Sequence, residues 1–237
     1  VSEIKEADDP SLMPEYQKKA NKGINQNYSY VDKGYYNSWD ELYGSTAHDE
    51  YDENRKPGNY IILDYDADGM ITQDDNIPYG YTGIPQNTMN LQIGFDYKGW
   101  SCFVQFYGVN NVSRSVGLTS LGGTRNTAFF EGSYWSPDNQ NADVPLPRWL
   151  NQASKYTDGT RFLFDGSYTR LKYAELSYTF SKEKWLKASG LSSLKVFVNG
   201  NNLFLWTDMP DDRESNTGGW SAYPTQRRFN LGFKITL

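Results

Sequence analysis

The chain has 237 residues, with 23 Lys and Arg against 29 Asp and Glu, and a formal net charge of −6. This acidic balance argues against nucleic acid as a partner, because phosphate binding needs a basic surface. The single Cys and single His exclude a disulfide framework and a multi-cysteine zinc site. No window approaches the roughly 18 apolar residues of a membrane-spanning helix, so composition alone favours a soluble acidic protein.

The first 59 residues are poor in aliphatic side chains and rich in Tyr, Asp, Glu, Asn and Lys. No helical or strand period persists there, so residues 1–59 are predicted to form a long polar surface segment, with one short helix near Met13 to Ala20. The start of the chain shows neither an initiator Met nor the basic and apolar regions of a signal peptide. We therefore expect the chain to be a processed product or a piece of a longer protein.

A dense acidic motif follows in residues 60–87 and fits the pattern D-x-D-x-D-G-x-I-x-x-x-D of a calcium-binding EF-hand loop, with Asp at the last position. Calcium takes six to eight oxygen ligands. The predicted ligands are the carboxylates of Asp64, Asp66, Asp68 and Asp75 and the backbone carbonyl of Met70. The alternative is an acidic turn without metal, which is disfavoured because carboxylates this close would repel one another.

Downstream, five segments alternate between apolar and polar residues: 88–98, 100–106, 174–180, 194–199 and 228–237. In the last of them Phe229, Leu231 and Phe233 alternate with Asn230, Gly232 and Lys234. Strict alternation over this length is typical of β-strands with one apolar and one polar face.

The connections between these segments are alternately short and long. Lys98-Gly99 predicts a two-residue hairpin turn, and residues 181–192 predict one helical turn around Trp185, closed by Gly190. Residues 110–166 and 207–225 are long and polar. This alternation is typical of an outer-membrane β-barrel, with aromatic residues gathered at the strand ends. A soluble antiparallel β-sandwich would show the same strand pattern.

Five strands are too few for even the smallest membrane barrel, which has roughly eight. The barrel interpretation therefore predicts an all-β fold in which residues 88–237 contribute the last strands, about five, of a larger barrel. Residues 110–166 and 207–225 would then be extracellular loops. Residues 1–59 would be an extracellular loop region and 60–87 an acidic segment at the extracellular rim.

Several segments carry motifs whose order and spacing can be compared with a known family. They are FDGSYTRLK at 164–172, the strand 174–180, the connection 185–196, NGNNLFLW at 199–206 and the segment 223–232. From about residue 60 to 237, this series resembles the C-terminal part of SusC/RagA-type TonB-dependent outer-membrane transporters of the Bacteroidota. The chain departs from the family in lacking DPE after Trp206 and in ending with Leu237 rather than an aromatic residue. Residues 1–59 carry no motif of the family.

The resemblance implies a 22-stranded transmembrane barrel with an upstream plug, in the outer membrane of a Gram-negative bacterium. It also implies a SusD-like surface lipoprotein over the extracellular mouth and TonB acting through the upstream region. The cargo would be oligosaccharides, or peptides in some members. Family members often carry a similar acidic loop near residues 60–87, which favours a structural role for calcium.

The sequence gives little support for an enzyme. His48 lies in an unpatterned acidic segment, and Cys102 falls on an apolar strand face, where a thiol is inert. Aromatic loop residues are better candidates for contacting a ligand, because aromatic rings stack on the apolar faces of sugars. The predicted substrate-binding residues are Trp135, Trp149, Trp206 and Trp220; the alternative is that they anchor loops or contact the lipoprotein.

Three functions therefore compete at this stage. The leading hypothesis is an importer that takes up oligosaccharides or peptides, in contact with outer-membrane lipid. The second is a soluble, calcium-stabilised, carbohydrate-binding β-sandwich. A secreted glycoside hydrolase is the third, and it would need a productive pair of carboxylates.

Overall fold

The computed structural model describes residues 3–45, 47–49, 55–115, 133–143, 145–146, 159–181, 183–209 and 225–237. In these residues the chain is built mainly from strands, which confirms the predicted all-β class. In chain order the elements are β1 (Tyr28–Tyr30), β2 (Asp32–Tyr35), α1 (Trp39–Gly44), β3 (His48–Asp49), β4 (Tyr60–Ile62), β5 (Met70–Ile71), β6 (Asn76–Pro78), β7 (Asn87–Tyr97), β8 (Trp100–Asn110), β9 (Ser113–Ser115), β10 (Leu163–Asp165), β11 (Tyr168–Phe180), α2 (Lys184–Ala188), β12 (Ser193–Thr207) and β13 (Arg228–Thr236). Short 3-10 helices cover Gln73–Asp75 and Thr160–Phe162. None of the helices described is both long and apolar enough to cross a membrane.

The chain divides into two compact units. Unit 1 comprises Val1–Gly83 and Ser113–Phe164, and unit 2 comprises Ile84–Val112 and Asp165–Leu237. The segment predicted over 1–59 and most of the segment 60–87 therefore lie in unit 1. Part of the long loop predicted over 110–166 lies with them.

Unit 1 is held together by short strand pairs around an aromatic core. β1 pairs with β6, β2 with β4 and β3 with β5. The buried core residues are Tyr35, Tyr60, Ile62, Ile71, Trp135, Ala142 and Phe162. The guanidinium of Arg161 lies 4.6 Å from the ring centroid of Tyr35 and donates to the carboxylate of Asp32. The charge is thus paired where it meets the core, as partly buried charges require.

The short helix predicted near Met13 to Ala20 is wrong, because this segment forms successive turns. Hydrogen bonds to residues distant in sequence form here instead of the regular backbone hydrogen bonds of a helix. The hydroxyl of Tyr16 donates to the backbone carbonyl of Asp74 at 2.7 Å. The side-chain amide of Gln17 donates to the backbone carbonyl of Gln73 at 2.9 Å. A weak local helix preference is readily overridden by such contacts.

Unit 2 is a five-stranded antiparallel sheet with the strand order β13-β12-β11-β8-β7. β7 and β8 are joined by Lys98 and Gly99, whose φ angles are 47° and 91°. Two positive φ angles are what a type I′ hairpin needs, so the predicted turn is confirmed. β11 and β12 are joined through α2, and Gly190 follows it with φ 71°, as predicted.

The register places most apolar side chains of the five strands on one face, while Phe103 and Phe197 lie on the other. One transverse row consists of Phe95, Cys102, Leu176, Val198 and Leu231. The next row along the strands, on the opposite face, consists of Asp96, Ser101, Ser177, Phe197 and Gly232. The sheet therefore has an apolar face and a mainly polar face.

Near one end of the sheet, a β-bulge in β11 changes which residues of this strand point to the apolar face. The pairing of β11 with both neighbours shifts between Leu171 and Tyr173, and Asn202 on β12 has φ 54°. Because of this bulge, Leu171 and Ala174 lie on the same face although they are three residues apart. The clean alternation in the sequence consequently begins only at Ala174.

Candidate functional site

The apolar face of unit 2 is exposed. The side chains of Phe229, Leu231 and Phe233 are 71%, 80% and 72% exposed. Further exposed apolar residues on this face are Met89, Leu91, Ile93, Phe95, Tyr97, Trp100, Leu176, Val196, Val198, Phe204, Trp206 and Ile235. Soluble monomers rarely expose a contiguous apolar patch of more than a few hundred Å². A face of this kind is stable only against lipid or a covering partner.

Aromatic rings gather at both ends of the apolar face. Near the short turns, Trp100 and Tyr178 have ring centroids 5.0 Å apart, Tyr178 and Phe180 4.6 Å, and Phe180 and Trp185 6.0 Å. Towards the other end, the ring centroid of Trp206 lies 6.4 Å from that of Phe106 and 6.2 Å from that of Phe204. Aromatic rings at both ends of an apolar face are typical of the girdles that flank the apolar band of membrane barrels.

The opposite face carries a hydrogen-bonded polar network centred on Glu175. Its carboxylate accepts from Lys195 Nζ at 2.9 Å, from the hydroxyl of Tyr173 and from Asn199 Nδ2 at 3.4 Å. Asn230 then donates to Asn199 at 2.9 Å. These polar groups are paired with one another across β11, β12 and β13. Such a face suits an aqueous or protein-filled interior.

The acidic loop of unit 1 has an ordered internal bonding pattern. Asp64 Oδ2 accepts from the backbone N–H of Gly69 at 2.9 Å, and Asp66 Oδ1 accepts from that of Asp68 at 3.2 Å. Asp68 Oδ1 accepts from the N–H of Met70 at 2.7 Å. The carboxylates of Asp64, Asp66 and Asp68 offer oxygen atoms that all lie within 4.8 Å of one another. Three of the predicted ligands are thus brought together.

One oxygen of this cluster has no protein partner. Asp64 Oδ1 is buried and accepts no hydrogen bond from the residues that the structure describes, which is costly for a carboxylate unless a cation binds it. Desolvation raises the pKa of Asp66, and the negative charges of Asp68, Asp75 and Asp64 raise it further. Both observations fit a loop whose donor set is made for a hard cation such as calcium.

Asp75 and Met70, the other two predicted ligands, are not part of the cluster formed by the carboxylates of Asp64, Asp66 and Asp68. Asp75 is buried, and its two carboxylate oxygens accept from the backbone N–H groups of Tyr65 and Thr72. This closes the loop and caps the following 3-10 helix, and Asp75 is not one of the three clustered carboxylates. Met70 begins β5, directly after Gly69, and pairs with His48.

Two of the predicted substrate-binding tryptophans, Trp135 and Trp206, are described by the structure, and they belong to different units. Trp135 is only 4% exposed, and its indole N–H donates to Asn37 Oδ1 at 3.1 Å. Its ring covers Gly58, where an added Cβ would lie 2.5 Å from Trp135 Cε3. Trp135 is therefore a core residue of unit 1, with no free ring face for a sugar.

Trp206 was predicted in an extracellular-side loop, but it lies within β12 on the apolar face. It is 53% exposed beside Phe106 and Phe204, so it belongs to an aromatic end of that face. Trp149 and Trp220 lie outside the described residues.

An exposed aromatic pair that the sequence analysis did not single out lies on α1. Trp39 and Tyr43 have ring centroids 5.8 Å apart with an interplanar angle of 23°, and their side chains are 49% and 79% exposed. Ser38 caps this helix by accepting from the N–H of Glu41. In the sequence, Ser38 as a helix N-cap and the i, i+4 spacing of Trp39 and Tyr43 indicate a short helix with two neighbouring aromatic rings.

Comparison with known proteins agrees with the fold and the motifs. No protein-family model matches the chain. The chain is 29% identical over 224 residues to the TonB-dependent receptor P3 of Formosa agariphila, a match covering 88% of this chain and 22% of the relative. The RagAB peptide importer in its open-open state matches with a TM-score of 0.58 at 18% identity, covering 90% of this chain and 22% of that one. A second structure of the RagAB peptide transporter gives a TM-score of 0.59 at 17% identity, covering 91% and 22%.

These matches confirm the resemblance predicted from the motifs and the predicted kind of fold. The chain spans about a fifth of the length of the relatives it matches, as expected for a portion of a larger protein. The relatives are named as a receptor and an importer, and these names agree with the prediction of a transport protein rather than an enzyme.

Proposed function

We propose that this chain is the C-terminal portion of a TonB-dependent outer-membrane importer. Unit 2 would form part of the pore wall, and unit 1 part of the extracellular rim. The observation that carries the proposal is the five-stranded sheet with one exposed apolar face and one paired polar face. The apolar face would contact lipid and the polar face the barrel interior, as in membrane barrels.

The same observation weighs against a soluble β-sandwich. A sandwich buries the apolar face of each sheet under a second sheet about 10 Å away. Here the side chains of Phe229, Leu231 and Phe233 are each more than 70% exposed.

Two adjacent residues on β13 give a matched test of this proposal. Leu231 lies on the apolar face and Asn230 on the polar face. In the complete protein, Leu231→Arg should reduce assembly into the outer membrane, because an arginine on the lipid face costs about 2–4 kcal/mol at the bilayer midplane. Asn230→Arg should assemble normally. Flotation with membranes and heat-dependent gel mobility report the outcome, and a wild-type protein that remains soluble would overturn the proposal.

The remainder of the barrel is the first partner that the proposal requires. β7 and β13 are the edge strands of the described sheet, and an open edge is not tolerated in lipid. Upstream strands of a 22-stranded barrel would pair with both edges. A plug, TonB acting through the upstream region and a SusD-like surface lipoprotein complete the proposed assembly. A two-component RagAB importer as a fold neighbour supports such a pairing.

We propose an oligosaccharide as the cargo, with a peptide as the second candidate. The exposed Trp39–Tyr43 pair supports a sugar, because aromatic faces stack on pyranose rings. The peptide alternative is supported by the RagAB structures, which are described as a peptide importer. Trp39→Ala should weaken binding of the oligosaccharide that the complete protein takes up, whereas Tyr81→Ala, at an exposed aromatic elsewhere in unit 1, should not. Competition by peptides and not by oligosaccharides would favour the second candidate.

We also propose that the acidic loop binds calcium. Asp64, Asp66 and Asp68 would supply carboxylates, and the Met70 carbonyl is retained as a further proposed ligand. Asp75 is retained as a proposed last ligand, in addition to closing the loop through the N–H groups of Tyr65 and Thr72. The ion would neutralise three close negative charges and so stabilise the fold of unit 1.

A further inference from the structure

The apolar face of unit 2 contains an open depression of about 610 Å³. Its walls include Trp100, Leu176, Tyr178, Val196, Val198 and Leu231. All six belong to the apolar face defined by the strand register. A volume of this size lies within the range of about 300–1,000 Å³ found for small-molecule sites.

The depression reaches the aromatic end of the face near the short turns. Tyr178 contributes to its wall, and the Lys98-Gly99 turn packs beside this ring, since an added Cβ on Gly99 would lie 3.2 Å from Tyr178 Cε2. Thr179 N–H also donates to the Gly99 carbonyl at 2.8 Å. The turn is therefore held against Tyr178, one of the residues that line the depression.

Positive charge is concentrated at this same end. Lys98 in the hairpin turn and Lys184 at the start of α2 are both exposed. Both lysines lie in a chain whose net charge is −6. Lysines beside an apolar groove, with aromatic rings between them, match a ligand that has an anionic head and an apolar tail.

We propose that the depression binds one acyl chain of an anionic phospholipid, with its phosphate beside Lys98 and Lys184. The inference rests on the proposed function, because only a membrane-embedded sheet meets such a lipid. It goes beyond that function by assigning one bound lipid to one place on the barrel wall. The short-turn end would lie at the leaflet that contains phospholipid. The acyl chain would pass Tyr178 and Val196 and then reach the transverse row that contains Leu176, Val198 and Leu231.

A filling variant and a matched control test the site. Val198→Trp fills the depression, whereas Ile93→Trp adds the same ring elsewhere on the apolar face; the two native side chains are 48% and 53% exposed. Using the complete protein with phosphatidylglycerol, native mass spectrometry should show about tenfold weaker lipid retention for Val198→Trp, as expected from losing burial of only a few methylene groups. Ile93→Trp should retain lipid as wild type does. Equal retention by both variants would overturn the proposal.

Unmodified protein provides a second test that does not depend on folding of a variant. A phosphatidylglycerol with a photoreactive acyl chain should crosslink to Leu176, Val198 and Leu231 more than to Leu91 and Ile93 on the same face. Uniform labelling of the face would mean ordinary lipid contact and would overturn the assignment.

Removing the two lysine charges tests whether the site recognises an anionic headgroup. Lys98→Gln together with Lys184→Gln should remove the preference for phosphatidylglycerol over phosphatidylethanolamine, whereas Lys33→Gln in unit 1 should leave it unchanged. Failure of the lipid site and failure of the proposed function are distinguishable by flotation. Protein that floats with membranes without retaining lipid specifically refutes only the site, and protein that does not float refutes the importer itself.

Discussion

The ring of Phe197 on β12 lies over Gly232 on β13, its directly paired residue on the polar face of the sheet. A Cβ built on Gly232 would come within 2.5 Å of Phe197 Cζ. The ring therefore occupies the space that any larger residue at position 232 would need. This contact fixes β13, the edge strand, against its neighbour.

Gly232→Ala should destabilise the barrel by about 1–3 kcal/mol, because the added methyl group forces Phe197 out of its place. Unfolding of the detergent-solubilised protein in urea measures the change. Gly94→Ala is the matched control: Gly94 also lies opposite a phenylalanine, but an added Cβ would be 3.4 Å from Phe103. Equal losses for the two variants would contradict the role given to this contact.

Glu175→Gln should destabilise the sheet by about 1 kcal/mol, a figure kept low because the groups are partly solvent-screened. Lys195 would lose its charge partner at 2.9 Å and would still face Lys234, its paired residue on β13. A double-mutant cycle with Lys195→Met measures the coupling between the two groups. Exposed Glu183→Gln serves as the control, and additive effects of Glu175→Gln and Lys195→Met would refute the coupling.

Asp66→Ala combined with Asp68→Ala should abolish the rise in thermal stability that calcium confers on unit 1. The physical reason is the removal of two of the three clustered carboxylates. Asp74→Ala removes a neighbouring carboxylate outside the cluster and should leave the calcium response intact. If chelation leaves the melting of the wild-type protein unchanged, the calcium site is refuted.

Unit 1 should lose stability as the pH rises from 10 to about 12. Burial raises the pKa of Tyr35 from 10.0 to about 12, and burial raises the pKa of Tyr60 as well. Below pH 10 both tyrosines are neutral in the folded and unfolded chains, so their contribution is fully present there. Above pH 10 the unfolded chain ionises first, which favours unfolding. The phenolate absorbance and amide exchange of unit 1 follow this transition, and Tyr35→Phe should shift it to higher pH; an unchanged transition would contradict the assignment.

Trp135→Phe should destabilise unit 1 by about 1–3 kcal/mol, because it removes a buried hydrogen bond and leaves a void. Binding of cargo should be unaffected, since the indole has no free face. Limited proteolysis of unit 1 and cargo titration measure the two effects separately. A loss of affinity with unchanged stability would restore the substrate role that the sequence suggested for Trp135.

The sheet of unit 2 was predictable because period-2 alternation and turn chemistry act locally. Phe229 to Ile235 gave the faces of β13, and Lys98-Gly99 gave the hairpin register. The bulge between Leu171 and Tyr173 was not predictable in the same way, because it depends on how β11 meets two neighbours at once.

Unit 1 was predicted less well, because its order comes from contacts distant in sequence. Trp135 pairs with Asn37, 98 residues away, and no local pattern signals such a bond. The grouping of Asp64, Asp66 and Asp68 was the exception, since their alternate spacing lies within one short motif. Even there, the closing role of Asp75 depends on backbone groups at Tyr65 and Thr72 that the motif does not specify.

We propose that β13 has one face in lipid and the other towards the barrel interior. Single cysteines at residues 229–235 in a Cys102→Ser background, each spin-labelled in the complete, membrane-inserted protein, measure this arrangement. Labels at 229, 231, 233 and 235 should collide preferentially with oxygen dissolved in the bilayer. Labels at 230, 232 and 234 should collide preferentially with a water-soluble nickel complex. Labels at 229, 231 and 233 shielded from both reagents, or no alternation along the strand, would contradict it.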